Sequence, residues 1–198
     1  MRKGDKTKQD IIMKAAELFN EKGYASCSMQ DIMEVTGLTK GGIYGCFSSK
    51  EDIALEAFDY STKLVAERFM TAIDGEATAT AKILAMCEVY RDAAHNPPLK
   101  GGCPLLNTAV ESDQTIPLLR EKASEAYIDM LTIIQNILEQ GIRDGEYHSE
   151  MDTEATASFI LSSLEGSIMS SRLTMNNIHI AFVKKNLEYV LISLSKKR

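Results

Sequence analysis

The segment Thr39-Lys40-Gly41-Gly42-Ile43-Tyr44 groups an ammonium, a phenol and two consecutive glycines directly after a residue suited to capping a helix. A lysine offers a compact point charge that a phosphate accepts without demanding a fixed geometry. Each glycine costs about 1 kcal/mol relative to alanine in a helix interior, so the pair needs a reason to stand at a helix start. Bare backbone there lets unsatisfied amides come close to an anion or a base edge. Tyr44 adds a hydroxyl donor and Lys50 a second cation. Contacts of this kind fix position more than they read sequence, and the expected partner is DNA.

Three short helices have to hold this segment in place. Ile12, Ala15, Ala16 and Phe19 recur at i, i+3, i+4 and i+7, one buried stripe on a first helix that stops at Gly23. Ser28-Met29-Gln30-Asp31 has the form of a capping box, so a second helix starts near Met29 and carries Ile32, Met33 and Val35 inward. Gly37-Leu38-Thr39 is a three-residue turn, with Gly37 where a left-handed residue lets the chain bend sharply. Thr39 caps the third helix, and Ser49 with Asp52 caps a fourth. Two short helices across such a turn form a helix-turn-helix. Phe19, Ile32, Val35, Leu38, Ile43 and Phe47 are expected in its core. Ser28 and Ser49 serve equally well as caps and nothing more, and Lys40 or Lys50 taken singly is an ordinary solvated lysine.

The chain is acidic as a whole, with 22 Lys and Arg against 28 Asp and Glu in 198 residues. The charge is unevenly spread. Residues 1–50 hold eight basic and six acidic side chains, a net +2, and the remainder carries −8. That asymmetry suits a small basic reader joined to a larger domain that never meets DNA. Arg2 to Lys8, with four cations and one acid, reads either as a mobile tail that adds phosphate contacts or as a solvated N-terminus. No apolar run is long enough to span a membrane, and Met1 to Asp10 has no signal-peptide core, so a cytoplasmic protein is expected. Cys27, Cys46, Cys87 and Cys103 lack paired metal spacing, and no catalytic triad, phosphate loop or ligand cluster stands out. No metal, cofactor or enzymatic activity is expected.

The ordered set Ala15-Ala16-Glu17-Leu18-Phe19, Gly23-Tyr24, Ser28-Met29-Gln30-Asp31-Ile32, Gly37-Leu38-Thr39-Lys40-Gly41-Gly42-Ile43-Tyr44, Phe47 and Ser49-Lys50-Glu51 resembles the DNA-binding region of the TetR family of transcriptional regulators. The resemblance runs from Ile11 to Ile53. It implies that Ser28, Thr39, Lys40, Tyr44 and Lys50 touch DNA, mostly at phosphates, and that Gly41 and Gly42 stand where family members read bases. Gly45 and Cys46 depart from the larger polar or aromatic residues that are usual there. With so little side chain on the third helix, sequence reading is expected to lean on Gln30, Ser28 and DNA shape.

Beyond residue 50 the pattern is all-helical. Pro97, Pro98, Pro104 and Pro117 cluster, leaving uninterrupted helical stretches on either side. Helices are expected over 51–74, 78–96, a short stretch after Pro104, 116–144, 153–173 and 178–195, with Asp152 as a cap. Tyr90, Asn107, Glu111, Tyr127, Met130, Ile134 and Glu165 place polar groups among apolar ones, the composition of a small-molecule pocket, though each serves as readily as core or surface. Cys103 starts a helix, where the dipole favours a reactive thiol; a buried structural cysteine is its default role. Val183, Leu187, Val190, Leu191 and Leu194 form an apolar stripe, and Phe159, Ser163, Gly166 and Met169 mark a face of the preceding helix where small residues permit close approach. These faces either pack within one subunit or meet their symmetry mates. The resemblance implies the second, and with it an inducer pocket.

The expectation is an all-α chain with an N-terminal three-helix helix-turn-helix domain over 1–50 and a larger helical ligand-binding and dimerisation domain over 51–198. Functionally it is a homodimeric repressor released from a palindromic operator by a small molecule. The alternatives are an effector-independent regulator or activator, and a helical enzyme or carrier built on Glu111, Glu165 and Cys103.

Overall fold

A computed structural model describes residues 3–111 and 116–196. Among them all regular structure is helical, as expected: α1 (Lys3–Lys22), α2 (Met29–Thr36), α3 (Lys40–Tyr44), α4 (Lys50–Ile73), α5 (Ala79–Val89), α6 (Pro104–Glu111), α7 (Pro117–Arg143), α8 (Thr153–Thr174) and α9 (Ile178–Ser193). No described helix is long and apolar enough to cross a membrane.

The helices gather into two compact units. One takes Met1–Val65 with Leu99–Ala126, the other Ala66–Pro98 with Tyr127–Arg198. The first unit therefore extends past residue 50 and includes α6, which packs against α1.

In the first unit, α1 buries Ile11, Ile12, Ala15, Ala16, Leu18 and Phe19, the stripe its spacing dictates. It begins at Lys3, so Lys3 to Lys8 is helical rather than a mobile tail; Arg2 lies outside the described residues. Lys8 is committed locally, 2.7 Å from Glu56 and over the Phe47 ring. In α2 the expected core differs at one position. Val35 is 41% exposed, while Thr36 is buried beside Ile32 in the i, i+4 relation and satisfies its hydroxyl on the Ile32 carbonyl at 2.7 Å. An eight-residue helix has one narrow inward face, and a hydroxyl that bonds its own helix can occupy it. Leu38 is half-buried, whereas Phe19, Ile32, Ile43 and Phe47 are core.

A polar seam ties α6 and the loop before it to the end of α1. Asn20 Nδ2 donates to the carbonyls of Lys100 and Gly102, and Asn107 Nδ2 donates to Asn20 O, Asn20 Oδ1 and Gly101 O, all at 2.8–3.1 Å. The backbones touch so closely here that a Cβ at Gly101 would lie 2.3 Å from the Asn20 carbonyl oxygen. Glycine is required there for space as well as for its φ of +94°.

In the second unit α9 packs against α8 and α5. α5 ends at Val89, seven residues before the expected Asn96. The chain tightens through Tyr90 N to Cys87 O and Ala93 N to Tyr90 O, and Asn177 holds the turn by accepting from Ala94 N at 2.9 Å. The other long helices end within two residues of expectation. Asp152 caps α8 by accepting from Ala155 N. The Glu146 carboxylate accepts from Ala79 N and Thr80 N, satisfying orphan amides at the start of α5 where the helix dipole favours an anion.

Candidate nucleic-acid interface

The second helix of the motif is set by its ends. Ser28 Oγ accepts from Asp31 N at 3.2 Å, and the Asp31 carboxylate accepts from Ser28 N at 2.8 Å, the reciprocal capping box the sequence predicts. Lys22, from the last turn of α1, adds an ion pair to Asp31 at 2.8 Å. Together Lys22 and Ser28 hold the Asp31 carboxyl well below the usual carboxylate range. At the far end Gly37 takes φ +70° and closes the helix by donating to Met33 O.

After that turn Thr39 Oγ1 accepts from Gly42 N at 3.2 Å and starts α3. Of the five residues of α3 only Ile43 is buried, and it is fully so. One anchor holds the helix down, leaving Thr39, Lys40, Gly41, Gly42 and Tyr44 exposed. Lys40 Nζ stands 5.7 Å from the Tyr44 ring centroid, so cation and aromatic form one surface feature instead of two separate contacts. A Cβ at Gly41 would meet nothing within 4 Å. Packing within the chain therefore does not explain this glycine.

The remaining expected DNA contacts lie at the margins of this element. Ser28 and Gln30 are exposed at the start of α2, and Gln30 Nε2 reaches Glu34 Oε1 at 3.3 Å. Lys50, at the start of α4, is half-buried and donates to the Tyr24 carbonyl oxygen. An ammonium has three donors, so this bond orients Lys50 without using up its capacity. Sequence reasoning missed the supporting partners, Lys22 on Asp31 and the Tyr24 carbonyl on Lys50, because no motif connects residues 9 and 26 positions apart.

The residues expected to line an effector pocket are divided between the units: Cys103, Asn107 and Glu111 in the first, Tyr90, Tyr127, Met130, Ile134 and Glu165 in the second. In the first unit Cys103 is buried, and Asn107 and Glu111 are engaged with backbone around the end of α1. In the second unit Tyr90 and Ile134 are buried, Met130 and Glu165 half-buried and Tyr127 exposed. An open groove of about 470 Å³ in that unit is lined by Arg68, Thr71, Glu88, Asn96 and Pro97 among others, and none of the expected pocket residues lines it.

The expected interface helices show two faces. Leu187 and Leu191 are buried within the chain itself, and Val183, Val190, Leu194 and Ser163 are half-buried. The exposed ridge of α9 is a different one, Phe182, Tyr189 and Ile192 at i, i+7 and i+10. On α8, Phe159, Gly166, Met169 and Leu173 are exposed along one side.

Comparison with known proteins matches both parts in chain order. Residues 11–57 match the family described as bacterial regulatory proteins, tetR family, and residues 79–187 match the tetracyclin repressor-like C-terminal domain. A TetR transcriptional regulator from Chloroflexus aurantiacus J-10-FL superposes with a TM-score of 0.94 at 39% identity, covering 100% of both chains. A TetR-family regulator from Cytophaga hutchinsonii gives 0.94 at 36% identity, covering 100% of this chain and 99% of that one. The fatty acid metabolism regulator protein of Bacillus subtilis is 27% identical over 186 residues, 93% of this chain and 88% of that protein. The exposed α3 with its single buried anchor and the helical remainder thus both fall within matches to one family, and the chain belongs to the TetR family of transcriptional regulators, which bind DNA and are not enzymes.

Proposed function

We propose that this regulator is a cytoplasmic homodimeric repressor that grips a palindromic operator through α3 of each subunit and leaves it when a small molecule binds the helical domain beyond residue 50. The observation that carries the DNA-binding part is α3 itself, five residues with one buried anchor, a cation stacked on an aromatic ring, and a glycine that packing does not require. In this reading Thr39, Lys40, Tyr44 and Lys50 hold phosphates, the backbone at Gly41 and Gly42 comes close to the duplex, and Ser28 and Gln30 flank the groove. Exposed apolar side chains on α8 and α9, including Phe159, Met169, Leu173, Phe182 and Ile192, support pairing of two copies through these helices.

A ligand shifts such a regulator only through the difference in its affinity for the bound and released states. The test is a mobility-shift titration on a duplex the protein has selected, followed by a metabolite screen for release. Two chains per duplex and release by at least one compound is the expected outcome. Two chains per duplex with no compound releasing them makes the effector-independent alternative the better account.

A further inference from the structure

The Tyr24–Ala25 peptide lies between two charged side chains that come from different helices. Its N–H donates to Glu111 Oε1 at 2.7 Å, and its carbonyl accepts from Lys50. Glu111 Oε2 also accepts from Tyr24 N at 2.9 Å, so one carboxylate spans two successive amides in a fork. Charge-assisted bonds of this kind are the stronger ones, and a carboxylate drawing on a peptide N–H makes the carbonyl of that peptide a better acceptor. The bond to Glu111 therefore strengthens the bond to Lys50.

The peptide is not free to drift. The Tyr24 ring is 4.7 Å from Phe19 and almost fully buried, and burial pushes its phenol up, a rise that Thr108, one turn before Glu111 on α6, opposes. Asn107 of the same helix grips Asn20. Asn107 and Glu111 thus hold residues 20–25 along one face of α6, and Lys50 leans on that segment from α4.

We propose that Glu111 is a positioning residue for DNA binding: by fixing the Tyr24–Ala25 peptide it sets where the Lys50 ammonium stands, so the placement of α6 decides whether this cation meets a phosphate. The proposal rests on the reading of Lys50 as a phosphate contact. It assigns Glu111 a role other than lining a ligand pocket.

The experiment uses the full chain and a duplex that the wild type enriches from a random library, with affinity followed by fluorescence anisotropy across a salt series. Wild type, Glu111→Gln, Lys50→Met and the double variant are compared. Glutamine keeps the size but replaces one acceptor oxygen with a donor facing an amide. Each single change is expected to weaken binding roughly tenfold and to lower the slope of log affinity against log salt by about two, the loss of one phosphate contact in each of the two subunits on the duplex. The double variant is expected to bind no more weakly than Lys50→Met alone, because both changes remove the same contact.

A Glu111→Gln chain that keeps the wild-type salt slope, or losses that multiply in the double variant, overturns the proposal. A purely structural role would lower melting temperature without moving the slope. Should Glu111→Gln not fold, Glu111→Asp, which keeps the charge and withdraws it by one methylene, is read by the same criteria. If the wild type enriches no duplex, the DNA-binding reading fails before Glu111 is altered, so the two failures are told apart.

Discussion

At Gly41 the demands of folding and of binding separate, because a methyl group there would meet nothing within 4 Å of the protein. Gly41→Ala is expected to leave melting temperature unchanged or raise it, alanine being favoured over glycine in a helix by up to about 1 kcal/mol. The same change is expected to weaken DNA binding tenfold or more, since the methyl holds the backbone away from the duplex; thermal melting and anisotropy on one preparation check both halves. An unchanged affinity would show that α3 does not approach DNA by its N-terminal backbone. The types and order of Thr39, Lys40 and Tyr44 were legible in the sequence because they follow a cap and a turn that spacing defines. Their mutual arrangement was not. That Lys40 rests on the Tyr44 ring, and that Lys50 is steered by a carbonyl 26 residues away, depends on how helices meet.

Helix ends in this chain are specified locally and are testable one at a time. Ser28→Ala removes the acceptor for Asp31 N and is expected to cost about 1 kcal/mol of stability in denaturant unfolding, while Ser28→Gly is expected to cost only a few tenths. Asp31 gives α2 a defined pH response. Its carboxyl is depressed in the folded chain by Lys22 and Ser28, so its contribution is fully present above the unfolded value of about 3.9 and is lost as pH falls through the lower folded value. A carbon-detected titration is expected to find Asp31 ionised well below the usual aspartate range, and Lys22→Met is expected to raise it; an ordinary Asp31 titration in the unaltered chain would contradict this. Caps, turns and the stripe of α1 were readable because they depend on neighbours three or four residues apart. Val35 and the end of α5 were misread for the complementary reason. The inward face of α2 and the turn held by Asn177 are decided by tertiary partners, the latter 83 residues from the amide it accepts.

For the whole molecule, α9 is apolar on two faces, Leu187 and Leu191 within the chain and Phe182, Tyr189 and Ile192 outside it. The sequence showed a stripe suited to either use; only the packed helix distinguishes the face left over. Phe182→Glu is therefore expected to give a folded monomer by sedimentation and to weaken operator binding, while Leu187→Ala is expected to cost about 2–5 kcal/mol of stability from its buried site. A Phe182→Glu chain that still sediments as a dimer would place the contact on another surface. The effector was the least legible part, since the residues expected to gather around it divide between two packing units and several are engaged with backbone. The central claim, that the exposed α3 makes this chain a palindrome-binding regulator, is met most directly by selection of bound duplexes from a random library using the full chain. The predicted result is an enriched two-fold symmetric sequence with half-sites about one helical turn, or a multiple of it, apart, lost on Lys40→Ala combined with Tyr44→Ala. No enrichment, or enrichment that survives the double substitution, would contradict it.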